Sequence, residues 1–458
     1  MSDAFSTLGL APELLANLTS LGYAAMTPIQ AASLPPALAR RDLIARAKSG
    51  SGKTAAFGIA LLAGLDVAKF RVQALVLCPT RELADQVGKE LRRLARATPN
   101  IKVLTLCGGV PIGPQLGSLE HGAHIVVGTP GRIQDHLRKG SLVLDQLTTL
   151  VLDEADRMLD MGFNDSITDI VAQTPAARQT LLFSATYPTE IERLSAALQR
   201  DPVAVSVDTE HRGAAIRQHF FEIEASQREI ALLALLACYR PESSVIFCNT
   251  KQQCEDIAAL LRGHGVPALA LHGDLEQRDR DQVLVRFANA SCPVLAATDV
   301  AARGLHIEEL AAVINYELAR DPEVHVHRVG RTGRAGREGL ALSLYTAAES
   351  ARLAAIERYQ GTAVEPERLE RATDIAIALN APMITLCIDG GRKDKVRPGD
   401  ILGALTGPGG IPGTEVGKID IFDFYAYVAV RRESAGRALK CLSDGKIKGR
   451  KFKARQVR

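Results

Sequence analysis

No apolar stretch in the 458 residues reaches the roughly 20 positions a membrane-spanning helix needs, and residues 1–9 lack both the basic start and the apolar core of a signal peptide. A cytoplasmic protein with no membrane partner is expected. Eight cysteines are present, but no two form a Cys-x-x-Cys pair. Cys78, Cys107, Cys248 and Cys292 lie in or beside apolar strand-like runs, so reduced core thiols are expected, not disulfides or metal ligands. His325-Val326-His327 has no further ligand at metal-binding spacing nearby. The Asn-x-Ser/Thr triplets at Asn17, Asn164 and Asn289 carry no meaning without secretion. What is present is ordinary globular composition, 47% hydrophobic and 23% charged. The length suggests about three domains.

The net charge of +3 conceals an asymmetry. From Met383 onward there are 16 Lys and Arg against 8 Asp and Glu, whereas residues 1–382 carry 39 against 44. Between Lys446 and Arg458 stand seven basic residues and no acidic one. That density fits a polyanion, although a solvated basic tail has the same composition.

Asp153-Glu154-Ala155-Asp156 ends the apolar run Leu150-Val151-Leu152. Alone, such acids could simply open a helix. Their weight comes from Ala47-Lys48-Ser49-Gly50-Ser51-Gly52-Lys53-Thr54, which follows a short apolar strand (43–45) and opens a helical stretch (55–65). This is a phosphate loop in the context it requires. Small residues let backbone N–H groups close around phosphate oxygens, Lys53 reaches the terminal phosphates, and the Thr54 hydroxyl ligates Mg2+. Gly50-x-Gly52-x-x-Ala55 also matches a dinucleotide fingerprint, but that motif requires neither the Lys-Thr pair nor distant acids.

Through residue 200, apolar runs at 74–78, 103–107, 124–127, 150–152 and 180–183 alternate with helical patterns, which predicts a largely parallel sheet covered by helices. Ligands gather at the carboxyl ends of such strands. There stand Pro79-Thr80-Arg81, Gly108-Gly109, Thr129-Pro130-Gly131-Arg132 and Ser184-Ala185-Thr186. Any one of these clusters alone reads as a turn. After residues 208–215 the alternation restarts at 245–248, 268–271, 294–297, 312–314 and 340–344, without a phosphate loop. Residues 328–337 then space four arginines with glycines. Beside a phosphate loop, such arginines read as transition-state fingers.

This ordered set, from Phe5 to Arg337, resembles the DEAD-box ATP-dependent RNA helicases. The segment Gly22-Tyr23-Ala24-Ala25-Met26-Thr27-Pro28-Ile29-Gln30 resembles the family's adenine-reading motif. The resemblance implies two tandem RecA-like domains (1–207 and 216–362) and ATP with Mg2+ as ligands. Gln30 is expected to hold the adenine edge, Tyr23 to stack on the base, and Thr27 and Pro28 to complete the motif. Asp153 would hold the metal through water, and Glu154 would activate the attacking water. Arg331 and Arg334 would be the fingers, and Ser184, Ala185, Thr186 and His327 would couple nucleotide state to RNA state. An RNA track is implied along Pro79, Thr80, Arg81, Gly108, Gly109, Thr129, Pro130, Gly131, Arg132, Asn249, Thr250, Gly273, Gln277, Arg280, Thr298 and Asp299. Amides, hydroxyls and arginines suit phosphates and 2′-hydroxyls, so indifference to sequence is expected there.

Beyond a linker (363–382), residues 383–458 read in the order βαββαβ, with strands at 384–388, 418–422, 425–430 and 447–457, which suits an RRM-like sheet. Tyr425 and Tyr427 partly match its stacking motif. Asp423 replaces the usual base, however, and Thr385 stands where an aromatic is common. Base stacking and ordinary strand packing are equally supported. Lys446, Lys448, Arg450, Lys451, Lys453 and Arg455 are the stronger RNA candidates. A DEAD-box core followed by such a domain resembles the bacterial DbpA-type subgroup. That resemblance implies a monomer targeted to a 23S rRNA hairpin during large-subunit assembly. A non-enzymatic scaffold with a vestigial ATPase is disfavoured by intact Lys53, Glu154, Arg331 and Arg334, and a DNA helicase is distinguished by its activating nucleic acid.

In Gly304-Leu305-His306, the family usually has aspartate where His306 stands. A histidine that charges near pH 6.5 alters the field where the ribose is expected. His306→Asp should lower the KM for ATP and flatten its dependence between pH 6 and 8, measured by steady-state hydrolysis; an unchanged profile refutes the assignment.

Overall fold

Strands such as Ala74–Leu77 and Ile125–Gly128 are apolar at consecutive positions and buried on both sides, a pattern that only helices on each face of a parallel sheet can satisfy. The computed structural model describes residues 4–47, 50–187, 189–207, 216–302, 310–333, 338–369, 377 and 379–457. It divides into two compact units, the first containing one sheet and the second containing two.

The first sheet runs Val103–Leu106, Ile125–Gly128, Ala74–Leu77, Thr149–Asp153, Gln179–Ser184, Leu43–Arg46, Val203–Ser206. All its pairings are parallel. Register sets Arg46 beside Ser184 and Asp153 beside Phe183. The strand leading to the phosphate loop and the strand ending in acids therefore flank one shared neighbour, and their carboxyl ends emerge together. Two apolar clusters fill the two faces, one around Phe57 and Phe183, the other around Leu150 and Met158. Each apolar run expected in this domain forms a strand. Val203–Ser206 was not foreseen, because its half-exposed edge position needs no long apolar run.

The second sheet repeats the scheme: Ala268–Leu271, Val294–Thr298, Ser244–Cys248, Ala312–Asn315, Gly339–Tyr345, Ile216–Glu222, Pro366–Glu367. Residues 363–382, expected as a linker, thus contribute an edge strand, and Leu369 and buried Leu379 pack on the second core.

The third sheet is antiparallel, ordered Val416–Ile421, Ala426–Arg431, Met383–Ile388, Ala454–Gln456. Its apolar core includes Leu386, Ile388, Val428 and Val430 together with Ile401, Leu405, Ala438 and Leu442 of the helices Pro398–Thr406 and Ala435–Asp444. The last strand is shorter than the expected 447–457. Lys448 and Gly449 take left-handed φ values of 51° and 79°, so the chain turns, Ile447 bridges to Arg450, and pairing begins only at Ala454.

One buried carboxylate secures the edge of the first sheet. Asp42 accepts from the backbone N–H of Thr180 and of Arg200, both at 2.7 Å. Asp42→Ala strands two amides and should destabilise the first unit by about 2–4 kcal/mol, read as a lowered urea midpoint with unchanged slope.

Candidate nucleotide and RNA site

The phosphate loop bends because its glycines allow it. Gly50 and Gly52 have φ of 79° and 97°, and a Cβ on Gly52 would lie 2.6 Å from Gln30 Nε2. Helix Lys53–Ala63 opens directly behind, so its unpaired N–H groups and dipole face the space where phosphates would lie. Thr54 occupies the second position of that helix. Ala47 is buried, and its N–H donates to Ser184 O at 3.0 Å. Lys48 and Ser49, assigned to the loop, lie outside the described residues.

Helix Pro28–Leu38 starts with Gln30 reaching back to its N-cap: Gln30 Oε1 accepts from the Thr27 N–H at 2.9 Å. The same amide donates from Nε2 to Gly52 O at 3.1 Å. Gln30, 1% exposed, therefore ties the expected adenine-reading segment to the phosphate loop, with one N–H and one lone pair left. Tyr23 is held from three sides: Phe5 meets it edge-on at 6.1 Å, its hydroxyl donates to Glu90 at 2.6 Å, and the Arg93 guanidinium lies 5.9 Å from the ring. Burial and the Glu90 bond push its phenol pKa up.

Asp153 ends the strand with 3% exposure. Burial pushes its carboxyl up to about 7, against the pull of Lys53, and neighbouring Glu154 adds to the rise. Glu154 sits in the left-handed region at φ 53°, a strain of order 1 kcal/mol typical of functional sites, and pairs with Arg157. Asp156 takes the structural role: its Oδ2 accepts from Ala185 N, Thr186 N and Thr186 Oγ1, each at 3.0 Å. Burial works against its ionisation, but Lys53 and the N–H donors of Thr186 and Arg157 outweigh it and lower the pKa. Around this point Lys53 Nζ, Asp153 Oδ1, Ser51 Oγ and Thr27 Oγ1 are buried without a hydrogen-bond partner. An ammonium, a carboxylate and hydroxyls left unmatched at a helix start fit a phosphate group with a divalent cation.

Of the expected RNA track in the first unit, Thr80 caps helix Arg81–Leu94 by accepting from Leu83 N, and Arg81 Nη1 is buried without a partner. Thr129 stands at the N-cap position of the helix begun by buried Pro130, without a side-chain capping bond. Gly108 and Gly131 face open space, and Gly109 has φ 74°. Arg132 is committed to bracing: it donates to Gln115 Oε1 and Val110 O, both at 3.0 Å.

In the second unit, sequence reasoning gave Arg328 no role of its own. Arg328, 2% exposed, grips Asp299 with two bonds of 2.6 and 2.8 Å, donates to Asn315 Oδ1, Glu317 O and Asn249 Oδ1, and lies 5.1 Å from the Phe247 ring. Asp299 and Asn249, expected on RNA, are thus held by Arg328. The signal was its place one turn before Arg331, and it was absorbed into the finger reading. Thr250 caps helix Lys251–Gly263, Thr298 accepts from Ala301 N, Gln277 donates to Asp281, Arg280 donates to Ala301 O, and Gly273 faces open space. Arg331 and His327 are half-buried; Arg334, Gly304 and His306 lie outside the described residues. His325 is buried and pushed down to about 4 by burial and Arg328, and no group of three metal-capable side chains occurs among the described residues.

On the third sheet, Lys446, Lys448, Arg450, Lys451, Lys453 and Arg455 are exposed, anchored by buried Ile447 and half-buried Phe452. A second basic arm, exposed Arg392, Lys393, Lys395 and Arg397, lies alongside: Lys448 Nζ donates to Lys395 O at 3.1 Å and Asp389 N to Lys453 O at 2.9 Å. Its four basic residues in six positions were a legible signal that was not used.

A phosphate loop beside an acidic strand end in one parallel-sheet domain, followed by a second such domain lacking the loop, defines a RecA-like nucleotide-hydrolysing motor. The chain belongs to the DEAD-box helicases of the DbpA type. The family model for the DEAD/DEAH box helicase matches residues 27–194, that for the helicase conserved C-terminal domain 227–336, and that for the DbpA RNA binding domain 385–456. It is 55% identical to the ATP-dependent RNA helicase DbpA of Escherichia coli, over 99% of this chain and 100% of that one, and 36% identical to the DbpA of Bacillus subtilis over 99% of both. Among solved structures it resembles Saccharomyces cerevisiae Dbp5 bound to RNA and ADP BeF3, with TM-score 0.72, 31% identity, and coverage of 80% of this chain and 95% of that one.

Arg328→Ala leaves Asp299 and Asn249 without their buried partner. It should destabilise the second unit by about 3–5 kcal/mol, seen as early loss of the second-unit transition in thermal unfolding followed by hydrogen exchange.

Proposed function

We infer that this chain is an ATP-dependent, RNA-stimulated helicase. We propose that it locally unwinds or remodels 23S rRNA during assembly of the large ribosomal subunit, as a cytoplasmic monomer directed by its basic C-terminal domain. The observation carrying the ATPase reading is the set of unmatched buried groups at the loop, Lys53 Nζ and Asp153 Oδ1 above all. Thr54 and Asp153 would hold Mg2+, which would supply positive charge to the phosphates. Lys53 and the loop amides bind the phosphate oxygens, Glu154 takes the proton of the attacking water at its carboxylate, and Arg331 and Arg334 neutralise developing charge.

The link from nucleotide to RNA runs through Asp156. Any change at the acidic turn is felt at 185 and 186, because one carboxylate oxygen accepts all three of their donors. Specificity is assigned to the two basic arms of the third sheet. A tethered module that prefers one RNA raises its effective concentration at a core indifferent to sequence.

The test compares ATPase stimulation by 23S rRNA fragments, unrelated RNA and DNA. Glu154→Gln should reduce stimulated hydrolysis by about 100-fold or more. In the full chain, Lys448→Glu with Lys451→Glu should erase the preference for the rRNA fragment while leaving stimulation by excess unrelated RNA intact. A preference that survives the double substitution refutes the targeting role of these arms.

A further inference from the structure

Asn249 stands between two neighbours of opposite character. Arg328, which only donates, gives an N–H to Asn249 Oδ1 at 3.1 Å. Glu317, a carboxylate that only accepts, takes a bond from Asn249 Nδ2 on its Oε2. An amide set between a pure donor and a pure acceptor has one orientation that satisfies both. Glu317 Oε1 accepts in turn from Gln253 Nε2 at 2.8 Å, and Gln253 Oε1 accepts from the backbone N–H of Asn249 at 3.1 Å and of Thr250 at 3.2 Å. The bonds close a ring that runs from the Asn249 side chain through Glu317 and Gln253 back to the Asn249 backbone. Its members come from three elements. Asn249 follows strand Ser244–Cys248, Gln253 lies in the first turn of helix Lys251–Gly263, and Glu317 stands two residues beyond strand Ala312–Asn315. Those strands pair in parallel with Asn315 beside Phe247, which brings 317 level with 249.

The ring leaves untouched what a phosphate or a 2′-hydroxyl requires. Asn249 keeps its second amide proton. Exposed Thr250 accepts at Oγ1 from Gln253 N at 3.2 Å and keeps its hydroxyl proton to donate. Gln253 and Glu317 also line, with Arg228, Asp256 and Tyr316, an open cavity of about 540 Å³. A side chain that loses its match there can turn into water, so a mismatch loosens the ring without leaving a polar group buried and unpaired.

We propose that Glu317 and Gln253 are positioning residues for RNA: the ring they form with Asn249 aims the Asn249 amide and the Thr250 hydroxyl at the nucleic-acid backbone, while neither Glu317 nor Gln253 touches it. This assignment rests on the RNA track proposed for Asn249 and Thr250. A ligand-binding side chain held in one rotamer gives up less on binding than one that must first be ordered.

The donor and acceptor pattern supplies its own rescue. Glu317→Gln sets an NH2 group against that of Asn249 or of Gln253. Gln253→Glu keeps both bonds to the backbone N–H groups, so the helix start is preserved, but sets a second carboxylate against Glu317. Combining the two restores every match: the amide introduced at 317 donates to the carboxylate introduced at 253 and accepts from Asn249 Nδ2. ATP hydrolysis by the full chain is measured against the concentration of RNA unrelated to 23S rRNA, so that the basic arms do not mask the core. Each single substitution should raise the KM for RNA at least fivefold with kcat and the KM for ATP within twofold of wild type. The combined variant should return to within twofold. Hydrogen exchange at the Asn249 amide should be at least fivefold faster in each single variant than in wild type or the combined variant. Asn249→Ala should raise the KM for RNA at least fivefold. A combined variant as weak as either single one overturns the positioning role, as do single variants that match wild type while Asn249→Ala is impaired. Single variants that lower kcat and the thermal midpoint together, without relief in the combination, show a purely structural part and overturn it as well. An unchanged KM for RNA in Asn249→Ala refutes the RNA contact itself and overturns the assignment by that separate route, since exchange at 249 reports only the ring.

Discussion

One carboxylate oxygen, Asp156 Oδ2, is the constraint on which the first unit's chemistry depends. It gathers the N–H groups of 185 and 186 and the Thr186 hydroxyl, while Ser184 O holds Ala47 at the base of the phosphate loop. Acidic turn, the segment 184–186 and phosphate loop thus share a continuous set of hydrogen bonds across three neighbouring strands. Lys53 contributes a charge that favours the ionised form of both Asp153 and Asp156, so a ligand drawing Lys53 away alters the electrostatics of both. Burial makes these effects large, because little water remains to screen them.

The second unit has its own counterpart in Arg328, with a different purpose. Five donors on a rigid plane suit a site where carboxylate, amide and carbonyl oxygens converge, and that convergence fixes Asn249 and Asp299 at strand ends. Two residues expected to touch RNA are thereby oriented from beneath. Side chains that meet a ligand need such support, since a loose rotamer forfeits much of the binding it could give.

The third sheet separates two uses of one scaffold. Its aromatic face is packed like a core, with Phe422, Tyr425 and Tyr427 ring centroids 5.0 to 5.7 Å apart, and its exposed loops carry the positive charge. The even odds between stacking and packing for Tyr427 resolve toward packing, because a residue 1% exposed has no face to offer a base.

Repetition of apolar runs, the Lys53-Thr54 pair and the Asp153-Glu154 strand end were sufficient to predict two parallel-sheet domains and a nucleotide site, because such motifs encode local geometry: strand, tight turn, helix start. The basic density after Lys446 was equally legible, since charge needs no fold to be counted. Edge strands such as Val203–Ser206 and Pro366–Glu367 were not, because their pairing is set by neighbours distant in the chain. Nor were the Arg328 hub, the bond from Gln30 to Gly52, or the burial of Tyr427. Each depends on which residues meet across elements, and sequence spacing carries no information about a partner contributed by another strand or helix. Only the tertiary structure brought Asn289 and Ser291 into hydrogen bonds with Thr385 and buried Tyr427.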